Sequence, residues 1–175
     1  RGCTVESCED GQAAVERVIL AGQTLSAFPR ELAAMPRLAV LELRGTKGLG
    51  SLEGLADLKA LKQLDLSATQ LDTVPDAVFS LPGLERLYLT DNGLKALPAA
   101  VGRLAALTYL NLDANQLAAL PPELGRVGGL RWLRLNSNKL TALPSEIAAL
   151  GRLQRIYLRD NLFTQVPECL KALPL

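Results

Sequence analysis

The chain has 175 residues, 49% of them hydrophobic, which is enough for one continuous core. Its net charge of +1 gives no bulk electrostatic attraction to nucleic acid or an anionic membrane, and no apolar run approaches the roughly 20 residues of a transmembrane helix. There is no histidine, no Gly-rich phosphate loop and no CxxC pair, so the commonest general base, His-based triads and most zinc sites are missing, and the sequence predicts no catalytic residues, no metal and no cofactor.

The first 14 residues form a segment with Cys3 and Cys8, and regular units follow. The unit VERVILAGQTLSAFP (15–29) returns, at multiples of 23 residues, as LKQLDLSATQLDTVP (61–75), LERLYLTDNGLKALP (84–98), LTYLNLDANQLAALP (107–121), LRWLRLNSNKLTALP (130–144) and LQRIYLRDNLFTQVP (153–167). Units starting at Val15, Leu38, Leu61, Leu84, Leu107, Leu130 and Leu153 tile the chain to Leu175 as one domain. A period of this length signals an array of stacked units that share a core.

Each unit opens on an extended segment. Leucines one residue apart, such as Leu87 and Leu89, point to one side of it, and the residues between point to the other. Its second half, such as PAAVGRLAAL after Leu97, places Val101 and Leu104 three residues apart, as in a short helix or 3₁₀ turn. A strand inside and a bulkier element outside curve the stack, so that the strands line a concave wall. The second unit departs from this pattern in LRGTKGLGSLEGLADL (43–58): Gly48 and Ser51 stand where apolar residues belong, Leu49 and Leu52 come one step late, and the proline is missing. A bulge after Thr46 is expected there.

Asn92, Asn115, Asn138 and Asn161 recur where the chain leaves the strand, with Gln23, Thr46 and Thr69 in their place in the first three units. An amide donates and accepts, so these asparagines are expected to tie down turn backbone, including that of a neighbouring unit. Glu42 and Asp65 take the same strand position in successive units, where a carboxylate pair could hold a cation, but Arg44 and Lys62 are expected to neutralise it.

The pattern LxxLxLxxNxLxxLPxxLxxLxx, found over residues 15–175, resembles the leucine-rich repeat family in its 23-residue form. The resemblance implies an α/β solenoid: a curved right-handed superhelix with parallel strands on the concave face and short helices or 3₁₀ turns on the convex face. Many extracytoplasmic members close the first end with a cysteine-containing cap. Cys3 and Cys8 look similar to such a cap, which implies a disulfide and a secreted or cell-envelope setting, with a cytoplasmic one as the alternative. Abundant alanine, and 13 Arg against 6 Lys, point to a GC-rich bacterial source. No capping segment follows Leu175, so further chain is expected.

The third and fifth positions of each unit face away from the core. The third runs Arg17, Val40, Gln63, Arg86, Tyr109, Trp132, Arg155, and the fifth runs Ile19, Glu42, Asp65, Tyr88, Asn111, Arg134, Tyr157. All three tyrosines and the single tryptophan fall in these rows, whereas Phe28, Phe79 and Phe163 fall at or beside core positions. Tyr, Trp and Arg are enriched at binding hot spots because they bury large areas yet keep a polar handle. Arg86, Tyr88, Tyr109, Asn111, Trp132, Arg134, Arg155 and Tyr157 are therefore expected to bind a protein segment bearing carboxylates and apolar groups. Arg131 and Arg159 flank them, and Asp113 and Asp160 moderate the charge. Neither a nucleic acid nor a membrane is expected as partner. Self-association through the same patch is an alternative. So is a substrate-recruiting role in a larger enzyme, such as a secreted bacterial ubiquitin-ligase effector.

Overall fold

The computed structural model describes residues 14–50 and 52–173. The expected Cys3–Cys8 disulfide lies outside them. Seven strands of three residues each form one parallel sheet in chain order: β1 Arg17–Ile19, β2 Val40–Glu42, β3 Gln63–Asp65, β4 Arg86–Tyr88, β5 Tyr109–Asn111, β6 Trp132–Arg134 and β7 Arg155–Tyr157. Every pair is in register at the repeat spacing, so Leu87 faces Leu110 and Leu110 faces Leu133. The middle residue of each strand turns to the core, and Leu41, Leu64, Leu87, Leu110 and Leu133 are fully buried.

The strands stop where the eighth position of each unit turns left-handed. Gly22, Gly45, Ala68, Asp91, Ala114, Ser137 and Asp160 all have φ between 54° and 72°, and this reverses the chain away from the sheet. Six of the units then reach a proline (Pro29, Pro75, Pro98, Pro121, Pro144, Pro167) just ahead of a five-residue 3₁₀ turn, and all of these but Pro167 are in extended conformation. The proline ring presets φ and has no N–H to leave unpaired. In the fourth unit the turn closes with Val101 N–H on Pro98 O at 3.0 Å and Leu104 N–H on Val101 O at 3.1 Å. Three-residue periodicity eclipses Val101 and Leu104 on the core side, and both are buried.

The second unit solves its missing pattern with backbone. Gly48, Gly50, Leu52 and Gly54 have φ of 75°, 60°, 55° and 90°, and the late leucines Leu49 and Leu52 both end up in the core. Gly48 has no room for a side chain, because a Cβ there would lie 1.9 Å from the Leu25 carbonyl oxygen. The 3₁₀ turn that follows is cut to Leu55–Asp57 and begins after Gly54 rather than after a proline.

One apolar cluster runs from Phe28 to Leu153, with Phe79 buried in it and Phe163 half-buried against it. In the last unit Leu162 and Val166 are exposed, since no described residue packs beyond β7. Cys169 is half-buried there, and burial pushes its thiol pKa up, away from thiolate reactivity. No helix among the described residues is long and apolar enough to cross a membrane.

Candidate binding surface

The turn asparagines form a ladder under the outward face. Asn115 Nδ2 donates to Leu89 O in the preceding unit at 2.9 Å and to Leu112 O in its own at 3.0 Å, while its Oδ1 accepts from Leu94 N–H at 3.2 Å. Asn92, Asn138 and Asn161 repeat this geometry on Leu66, Leu112 and Leu135 of their preceding units. The Thr46 hydroxyl donates to Leu20 O in the preceding unit at 2.8 Å, whereas the Thr69 hydroxyl donates to Leu66 O in its own unit at 2.7 Å and to Asn92 Oδ1 in the following one at 3.4 Å. Gln23 stays exposed.

A second ladder, not foreseen from the sequence, runs two positions earlier. Asp113 Oδ1 accepts from Asn136 N–H at 2.7 Å, and Asn136 Oδ1 accepts from Arg159 N–H at 2.9 Å. Its signal in the sequence is a short polar acceptor recurring at the seventh position of the unit. Thr90 occupies that position in the fourth unit, and its buried hydroxyl finds no partner.

These ladders hold the strands that carry the outward side chains. Tyr88 and Tyr109 pack with ring centroids 4.9 Å apart at a tilt of 36°. Tyr109 meets Trp132 edge-on at 5.9 Å and 79°. The Arg134 guanidinium lies 5.0 Å from the Tyr157 ring centroid, within cation–π range. Tyr109, Trp132, Arg134, Arg155 and Tyr157 line a shallow depression of about 210 Å³. Arg86 is exposed and in register with Tyr109, outside the depression. Asn111 points its Oδ1 at Asp113 N–H, 3.0 Å away, so this acceptor serves its own turn.

The charges are arranged unevenly. Arg134 Nε donates to Asp113 Oδ2 at 2.7 Å, and that bond raises the guanidinium pKa further above its usual range. Burial raises the Tyr109 pKa, with Arg134 pulling the other way. Glu42 is paired by Arg17 rather than by Arg44, and Lys62 pairs with Glu85 at 3.1 Å. The cation that neutralises Glu42 thus comes from the third-position row, one unit earlier. Asp65 accepts from Ser67 N–H at 2.8 Å, so it serves a turn instead of sharing a cation with Glu42.

Residues 59–117 match the leucine rich repeat family. No match is found among curated proteins. Among solved structures, a leucine-rich repeat protein of Leptospira interrogans superposes with a TM-score of 0.69 at 29% identity, covering 89% of this chain and 46% of that one. The leucine-rich repeat ectodomain of the Arabidopsis thaliana membrane receptor kinase GASSHO1/SCHENGEN3, solved with CASPARIAN STRIP INTEGRITY FACTOR 2, gives 0.73 at 27% identity over 98% of this chain and 24% of that one. The PEPR1–AtPEP1 structure gives 0.71 at 32% identity over 84% and 22%. This chain therefore spans less than half the length of each. Similar structures come from both a bacterium and a plant, and so do not bear out a bacterial source. With seven registered strands, the recurring LxxLxLxxN pattern and the family match, the chain is a leucine-rich repeat protein of the 23-residue type.

Proposed function

We propose that this chain is a non-enzymatic protein-recognition module that binds a segment of a partner protein on its concave wall, through Tyr88, Tyr109, Trp132 and Tyr157 with Arg86, Arg134 and Arg155. The observation that carries this reading is the aromatic run from Tyr88 through Tyr109 to Trp132, held in mutual contact on rigid strands and left open to solvent. A solvated face that serves only stability does not require the chain's single tryptophan, which is 39% exposed. Two of the similar structures are complexes, one of them a receptor ectodomain with its bound factor. That supports protein or peptide ligands, and it favours an extracytoplasmic setting over a cytoplasmic one.

The test is selection of short peptides from a displayed library on the wild-type chain, followed by titration of individual peptides against wild type and against Tyr109→Ala/Trp132→Ala. With fluorescein-labelled peptides read by anisotropy, the expected result is binding to wild type and loss of binding in the variant at an unchanged fold. Peptides that bind both proteins equally would place recognition elsewhere and reject the reading.

A second reading, a recruiting segment within a longer enzyme-bearing chain, is favoured by one observation: the ectodomain of a receptor kinase is among the similar structures. The full-length gene separates the two. A catalytic domain in the same open reading frame supports recruitment, and a stop codon without one supports a stand-alone receptor.

A further inference from the structure

The outward arginines of the last three units differ in what already occupies them. Arg134 is held by Asp113 and covers Tyr157, and Arg159 reaches Asp160 at 3.5 Å. Arg131, Arg152 and Arg155 are exposed and form no ion pair among the described residues. Arg131 and Arg152 line, with Gly151, Leu153 and Gln154, a hollow of about 340 Å³ where the chain enters β6 and β7. The Arg131 carbonyl accepts from both Gln154 N–H and Arg155 N–H, at 2.9 and 3.0 Å, which fixes the two strand starts side by side. The two hollows are lined by consecutive residues of the chain, Arg131 and Gln154 in the basic one and Trp132 and Arg155 in the aromatic one.

Charge is therefore asymmetric across the last units of the sheet. The edge where β6 and β7 begin carries guanidinium groups without an ion pair among the described residues, whereas the same edge in earlier units is paired through Arg37–Glu16 and Lys62–Glu85. The edge where β6 and β7 end has its arginines matched by Asp113 and Asp160. At about 210 Å³ the aromatic depression is smaller than the roughly 300 Å³ at which small-molecule pockets begin, so it suits one large side chain rather than a whole ligand.

Building on the reading given under Proposed function, we infer that the partner segment is acidic and is laid across the strands in one orientation. A large apolar side chain enters the depression of Tyr109, Trp132, Arg134, Arg155 and Tyr157. A neighbouring Asp or Glu carboxylate docks on Arg131, Arg152 and Arg155. Arginine suits that role because its planar fork meets a carboxylate with two parallel hydrogen bonds.

The experiment selects short random peptides on the whole chain and titrates fluorescein-labelled synthetic copies of the winners by fluorescence anisotropy. The selected peptides are expected to pair Asp or Glu with an adjacent Phe, Tyr, Trp or Leu. Their affinity is expected to fall roughly tenfold in Arg131→Glu/Arg152→Glu/Arg155→Glu and to weaken with added NaCl. Arg159→Glu, outside the proposed contact, is expected to leave it unchanged. All the substituted residues are exposed, so thermal melting is expected to match wild type in each variant. Affinity indifferent to the triple reversal, or selected peptides without acidic residues, overturns this inference. If Trp132→Ala still abolishes binding in that case, the concave-wall reading survives it. If Trp132→Ala changes nothing, or if no peptide is selected, both fail. An oligothymidylate that binds as tightly as the selected peptides also overturns it, because phosphate would then be the anion recognised.

Discussion

Asn115 hydrogen-bonds to Leu89 O across the boundary between two units, 2.9 Å away and 26 residues back along the chain. The same side chain gives Leu94 N–H its acceptor. Asn115→Ala leaves buried groups of two units unpaired, and a loss of about 1–3 kcal/mol is expected. Asn115→Thr should lose less, because Thr46 shows that a hydroxyl at this position can make the cross-unit bond. Urea unfolding of the three proteins tests the order, and a wild-type midpoint for Asn115→Ala would disprove it.

Position eight of the unit predicts opposite signs for opposite substitutions. Gly45 and Ala114 share a left-handed backbone, with φ of 68° and 54°. An L side chain there crowds its own carbonyl, whereas glycine does not. Ala114→Gly is expected to stabilise by roughly 0.5–1 kcal/mol, and Gly45→Ala to destabilise by about as much. The space around Gly45 is open enough for a methyl group, its nearest neighbours being Gly22 backbone atoms at 3.8 Å. Any loss therefore measures the backbone alone. Melting shifts of the same sign in the two variants would refute this account.

The fold was legible because burial repeats every 23 residues. Leu38, Leu61, Leu84, Leu107 and Leu130 are all fully buried, as their shared place in the unit requires. The left-handed position was half-hidden: glycine marks it at Gly22 and Gly45, but Ala68 and Ala114 take it with no signature of their own. In the second unit the late Leu49 and Leu52 point to a bulge after Thr46 without showing where their side chains go. The nearby Gly45, Gly48, Gly50 and Gly54 were the clue that backbone freedom would bring them back. Within the candidate surface, the alternation of strand residues indicated which side chains face outward. It did not indicate which of them are already paired, because the Arg134–Asp113 bond joins residues 21 apart. That partnership follows from how one turn sits under the next strand, not from either residue's type.

Stacking of the 3₁₀ turns on the outer side depends on two glycines. A Cβ on Gly125 would lie 2.4 Å from Glu146 O, and one on Gly102 would lie 2.8 Å from Glu123 O. Gly125→Ala must push neighbouring turns apart, and a loss of about 1–3 kcal/mol is expected. Gly128→Ala is the control: nothing lies within 4 Å of its Cβ position, and the alanine restricts the unfolded chain, so it should be neutral or stabilising by up to about 1 kcal/mol. Equal midpoints for the two variants in a denaturant titration would mean that the turns are not in the tight contact described.

Tyr109 sits between Tyr88 and Trp132, 4.9 and 5.9 Å away, and burial raises its pKa in the folded chain. In the unfolded chain the phenol ionises near about pH 10. Below that both states hold the proton and the contribution of Tyr109 to stability is complete. As pH rises through the interval between the two values, the unfolded state loses its proton first, binds fewer protons than the folded state, and is favoured. The stability of wild type relative to Tyr109→Phe should therefore be steady from about pH 7 to 9 and turn against wild type above about pH 10. Paired urea titrations across that range measure it. A difference that stays flat, or moves in favour of wild type, would mean that Tyr109 is more exposed to water than its place between the two rings implies.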